Sequence, residues 1–169
     1  DFKRENYALT GFIYEGITTY MGDLYLLKSG VFSLEQYLKE LSKQVQKHLD
    51  NPARFSMSVA AASYDTWLDG YVPGAPGRKV SIYTEGCLLA FVTDVMIMRA
   101  TGNKYSLDAV MKKLYFDFAL QGKGVSEEDY IATLENISGI SFPSPFLFFF
   151  LIQLNHDLEY VCGLLLSEL

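Results

Sequence analysis

Apolar residues return every three or four positions along most of the chain, the period of helices packed on one side. The first such run goes from Ala8 to Lys28 and stops at Ser29-Gly30, where a glycine can take the left-handed position after a helix. The second opens at Ser33, with Gln36 placed to complete a capping box, and ends at Asn51-Pro52. Its inward stripe is read as Leu34, Tyr37, Leu38, Leu41, Val45 and Leu49, with Lys and Glu on the other face. A shorter helix is expected from Val59 to Leu68, then a glycine- and proline-rich loop from Gly70 to Arg78. The run from Ser81 to Ala100 is apolar on nearly every side from Cys87 onward. That predicts a buried central helix closed by Thr101-Gly102-Asn103. Ser106 is read as the cap of the next helix, and Ser126 with Asp129 as the box opening another that ends at Gly139. From Phe142 to Leu169 the chain is rich in aromatics and leucine, and one or two short helices are expected there. No strand alternation and no internal repeat interrupts the pattern. The prediction is one all-α helical domain over residues 1–169.

Composition agrees. Half the 169 residues are hydrophobic and 20% are charged, the balance of a globular chain with a full core. The net charge of −6, with no basic stripe, argues against nucleic acid and against an anionic membrane surface. No apolar run approaches the ~18 residues of a membrane span. Cys87 and Cys162 lack CxxC spacing and are read as buried thiols, with a single bridge between them as the alternative. The opening Asp1-Phe2-Lys3-Arg4, in place of Met, is what an excised piece of a longer protein would show.

Chemistry concentrates in Phe12-Ile13-Tyr14-Glu15-Gly16-Ile17-Thr18-Thr19-Tyr20. Glu15 stands among apolar neighbours on a helix, with Thr18, Thr19 and Gly22 sharing its face. A carboxylate is costly to bury without a partner, and a hydroxyl, an arginine or a metal would each serve. Gly16 and Gly22 would let another backbone come close. The segment resembles the W-x-x-E-G-x-T-x-Y stretch of the glycyl aminopeptidase family, relatives of thermolysin among the gluzincin zinc metallopeptidases. Phe12 stands for the family tryptophan and is expected to keep an aromatic wall. In that family an HExxH helix supplies two histidines and a general-base glutamate, and the glutamate of the E-G pair completes the zinc site. A His₂Glu set leaves a fourth position for an activated water. The resemblance makes Glu15 that metal ligand.

A second segment, Ser81-Ile82-Tyr83-Thr84-Glu85-Gly86, is similar to the family's Y-Y-x-K-G. Its tyrosine donates to the oxyanion of the tetrahedral intermediate, a role the resemblance gives to Tyr83. Ile82 and Glu85 depart from the pattern, and Glu85 reverses a charge beside the site. Ser63-Tyr64-Asp65-Thr66-Trp67, Ser106-Leu107-Asp108-Ala109-Val110-Met111 and Gly124-Val125-Ser126-Glu127-Glu128-Asp129 also agree with the family in order and distance, and are read as caps and core.

Neither histidine belongs to an HExxH. His48 is read as a cation suited to the end of its helix, and His156 as a cap or loop residue. The chain then holds one zinc ligand of three, with the HExxH expected roughly twenty residues before Glu15. The resemblance implies an all-α bundle like the C-terminal subdomain of a thermolysin-like peptidase. It would act on peptides with small N-terminal residues, beside an N-terminal half of the catalytic domain that is missing here. The piece alone is expected to bind zinc weakly and to be inactive. The PDZ domain often found after this region in the family is not expected within these 169 residues. Two rival readings stand: a degenerate helical domain that only binds or scaffolds, and a carrier of apolar ligands suggested by the aromatic tail.

Overall fold

A computed structural model describes residues 3–4, 7–66 and 75–142. Six α-helices and two short 3-10 turns make up the ordered elements among them, with no strand, so the class is all-α. The helices are α1 (Gly11–Lys28), α2 (Leu34–Asp50), α3 (Val59–Tyr64), α4 (Ile82–Ala100), α5 (Leu107–Asp117) and α6 (Glu127–Ser138). The expected helices after Phe142, with His156 and Cys162, lie outside the described residues, as does most of the loop from Gly70.

The chain divides into two compact units, one running to Leu89 and the other beginning at Ala90, so α4 contributes to both. In the first unit α1 packs against α2 and α3. Phe12, Ile13, Ile17 and Tyr20 are the buried side of α1, and Val59, Ala62, Cys87 and Leu88 answer from α3 and α4. Local chemistry marks the ends. Ser33 Oγ accepts from the Gln36 N–H while the Gln36 side chain accepts from the Ser33 N–H, and Gly30 takes a φ of +78° just beyond α1.

One expectation holds only in part on α2. Leu34, Leu38 and Leu49 are 56%, 47% and 44% exposed, whereas His48 is wholly buried. The inward face keeps Tyr37, Leu41 and Val45 of the expected stripe, and Gln44 and His48 take the place of the three leucines. It follows polar partners on α4 instead of the greasiest line.

The second unit carries α5 and α6 packed together. Ser106 stands at the start of α5 but makes no side-chain cap. The buried Asp94 of α4 does that work, its Oδ1 accepting from the Leu107 N–H at 2.7 Å. Tyr130 of α6 is buried, and its phenol is pushed above its usual range by burial first and by the nearby Asp94 carboxylate second. Ser126 and Asp129 form the reciprocal box that opens α6.

Candidate active site

The start of α1 is tied to α3 before any catalytic residue is reached. The Phe12 N–H, one of the orphan donors of the first turn, donates to Ser63 Oγ at 3.0 Å, and that hydroxyl donates to the Val59 carbonyl at 2.9 Å. Phe12 itself is 1% exposed. It is a core residue, not the aromatic wall of an open site, because the turn that carries it is drawn down onto α3.

Next along α1 comes a crossing with α4 in which the two backbones touch. A Cβ added to Gly16 would lie 2.2 Å from the Gly86 carbonyl carbon, and one added to Gly86 would lie 2.3 Å from the Phe12 oxygen. Only glycine at both positions permits this approach. Gly22, the other glycine expected to admit a neighbour, has nothing within 4 Å of such a Cβ.

Glu15 precedes one of these glycines, and Tyr83 stands one helical turn before the other. Both are half-buried. The Thr18 and Thr19 hydroxyls donate to the Glu15 backbone carbonyl at 3.1 and 2.7 Å, so they serve the helix and not the carboxylate. Among the described residues no side chain is bonded or ion-paired to the Glu15 carboxylate. A half-buried carboxylate is of the oxygen-donor type that a metal can take. No group of three His, Cys, Asp or Glu able to hold a metal occurs among the described residues.

The first turn of α4 is also held by α2. Thr84 Oγ1 donates to Gln44 Oε1 at 3.1 Å, and His48 Nδ1 lies 2.8 Å from Glu85 Oε2. His48 and Glu85 are 0% and 1% exposed. His48 stands in the last turn of α2 as expected, but it is a buried partner of Glu85, and the charge reversal at Glu85 points into the protein. Spacing held the signal, since Gln44 and His48 are four apart and continue the line of Tyr37 and Leu41.

Beside this contact, Tyr20, Asp23, Tyr37, Leu41, Gln44 and Cys87 line a narrow crevice. Burial, then the Glu40 carboxylate, raises the Asp23 pKa, and Lys43 opposes the shift. Burial pushes the Cys87 thiol from 9.0 up to about 12, with Asp23 adding and Lys47 opposing. The thiol form stabilises the fold fully below 9.0, and that contribution is lost as pH climbs toward about 12. In the native protein at neutral pH, Cys87 is expected to resist alkylation, and to react at an ordinary thiol rate once urea unfolds the chain. Peptide mapping after labelling checks this, and fast native labelling of Cys87 would contradict it.

Residues 1–89, which carry Glu15, Gly16, Tyr83 and Gly86, match the family model of the M61 glycyl aminopeptidase. The chain belongs to that family. A crystal structure of an aminopeptidase N family protein from Idiomarina loihiensis is similar over 87% of this chain, at 30% identity and a TM-score of 0.80. The chain spans 25% of the length of that protein. No curated protein matches it. The glycyl aminopeptidase family model covers α1, α2, α3 and the start of α4, so both candidate site segments fall within it.

Proposed function

We propose that this chain forms the helical part of a zinc-dependent aminopeptidase acting on peptides with small N-terminal residues such as glycine or alanine. Glu15 is the carboxylate ligand, and Tyr83 donates its phenolic hydrogen to the oxyanion formed when the peptide carbonyl is attacked. The observation that carries this reading is the crossing at Gly16 and Gly86. It brings an E-G segment and a Y-x-x-G segment of the family pattern within a helical turn of one another.

Zinc, when bound, supplies an activated water. The protein's own residues do the rest. Glu15 offers a carboxylate oxygen from a half-buried position on an ordered helix. Tyr83 is a neutral donor, so it can face a peptide carbonyl without first binding it as a counter-ion. The two histidines and the general base would come from an HExxH segment outside these 169 residues, together with the sheet-bearing half of the cleft. The 169 residues alone would hold zinc weakly and turn over nothing, because a single carboxylate leaves the ion largely hydrated. No helix among the described residues is long and apolar enough to cross a membrane.

Zinc content after dialysis tests the ligand assignment in the complete gene product. Glu15→Gln is expected to weaken zinc binding, and Glu15→Ala to weaken it by more than about 10²-fold, since even residues that only support a ligand are worth ~10–100-fold. A Glu15→Ala enzyme that keeps stoichiometric zinc and its full rate on a glycyl or alanyl reporter would show the assignment to be wrong.

A further inference from the structure

We propose that the buried His48–Glu85 pair is a positioning device for Tyr83, fixing the rotation of the first turn of α4 against α2. The proposal rests on the reading of Tyr83 as oxyanion donor.

Both side chains are removed from water, at 0% and 1% exposure, and their contact at 2.8 Å spans 37 positions of sequence. With Glu85 as acceptor, the hydrogen sits on Nδ1. That leaves His48 Nε2 buried and without a partner. Such a pair is a poor way to gain stability. Taking two polar groups out of water costs as much as their attraction returns, and an apolar pair of similar volume often does as well or better. An unpaired ring nitrogen adds to the cost.

What the pair supplies is direction. An apolar contact tolerates small rotations of a helix, whereas a hydrogen bond weakens steeply when bent. Glu85 is two residues beyond Tyr83. Between them Thr84 makes its own bond to Gln44 of α2, and Gly86 fixes the other side of the turn against Gly16. Three consecutive residues of α4 are thereby located by two neighbouring helices. Tyr83 is carried on the same turn, and a rotation of that turn is magnified at the tip of a long phenol. Displacing a reacting group by ~1 Å can cost about 10²-fold in rate.

The test is a double-mutant cycle in the complete, zinc-loaded enzyme. H48L/E85L removes the bond and keeps bulk. It is expected to leave the melting temperature nearly unchanged and to lower kcat by about 10- to 10²-fold with KM little moved. H48Q, whose amide can still donate to Glu85, should recover most of that loss. In a Y83F background the H48L/E85L change should cost almost nothing further, since the donor it orients is already gone. Equal losses in both backgrounds, or no loss with Tyr83 intact, would overturn the positioning role while leaving Tyr83 as donor. A Y83F enzyme with full kcat would instead remove the reading on which the proposal stands. Should H48L/E85L fail to fold, E85M is read in the same cycle. It removes the acceptor and keeps the side chain's length: a loss that vanishes with Y83F supports the proposal, whereas one that persists, or no loss at all, overturns it.

Discussion

Replacing Tyr83 with phenylalanine is expected to lower kcat by about 10²–10³-fold in the complete enzyme, roughly 3–4 kcal/mol of transition-state stabilisation. The change deletes one oxygen and little volume. If that oxygen donates to charge that exists only after attack on the carbonyl, the ground-state complex barely registers its loss. KM should therefore stay nearly constant, and zinc content should be unchanged. Steady-state kinetics with metal analysis on the same preparation make the check. A rise in KM at constant kcat would point to a uniform substrate contact instead, and unaltered kinetics would remove Tyr83 from the chemistry altogether.

The second large effect concerns architecture. Gly16→Ala places a methyl group 2.2–2.6 Å from three backbone atoms of Gly86, and backbone cannot swing aside as a flexible side chain can. The helices must part at their closest point, at an expected cost of about 3 kcal/mol, lowering the melting temperature by roughly 6–12 °C. The same substitution at Gly22, in the same helix, meets nothing within 4 Å. There the better helix propensity of alanine should prevail and stabilise by up to ~1 kcal/mol. Opposite signs from one chemical change two turns apart can be read by thermal denaturation followed at a helical circular-dichroism band. A tolerated Gly16→Ala would mean the crossing is looser than its geometry implies.

How much of this was legible beforehand depended on whether the deciding interaction is local. Ser33 with Gln36 and Ser126 with Asp129 formed the boxes expected of them, because both partners sit within one turn. Ser106 looked equivalent, but its helix is capped by Asp94, twelve residues earlier, and no local pattern distinguishes the two cases. The inward face of α2 is legible only in part, in Tyr37, Leu41 and Val45, for a similar reason. Hydrophobic periodicity ranks faces by greasiness, and it favoured Leu34, Leu38 and Leu49 over a line that includes Gln44 and His48. Only the partners on α4 reverse that ranking. Gly16 and Gly22 were indistinguishable as letters, since what separates them is the presence or absence of Gly86 opposite. Within the candidate site, Glu15 is marked locally by its apolar helical neighbours, but its role, like that of Tyr83, is legible only through the family resemblance. The His48–Glu85 contact could be found only by folding the chain, with 37 residues between its members.

The polar seam between α2 and α4 also decides which of several alignments the chain can settle into. Helix α2 offers two faces that could lie against the core, and the one carrying leucines would bury more apolar surface. Turned that way, α2 would leave Glu85 and Thr84 facing leucine; slid along by one turn, it would set Gln44 opposite Glu85 and Glu40 opposite Thr84. A buried carboxylate would lose its imidazole, and a second carboxylate would be drawn inward from water. Each misplacement is penalised twice, once for the bond lost and once for the group stranded. The seam works like a key with two unequal teeth, rejecting the greasier alignments that leucine alone would have welcomed.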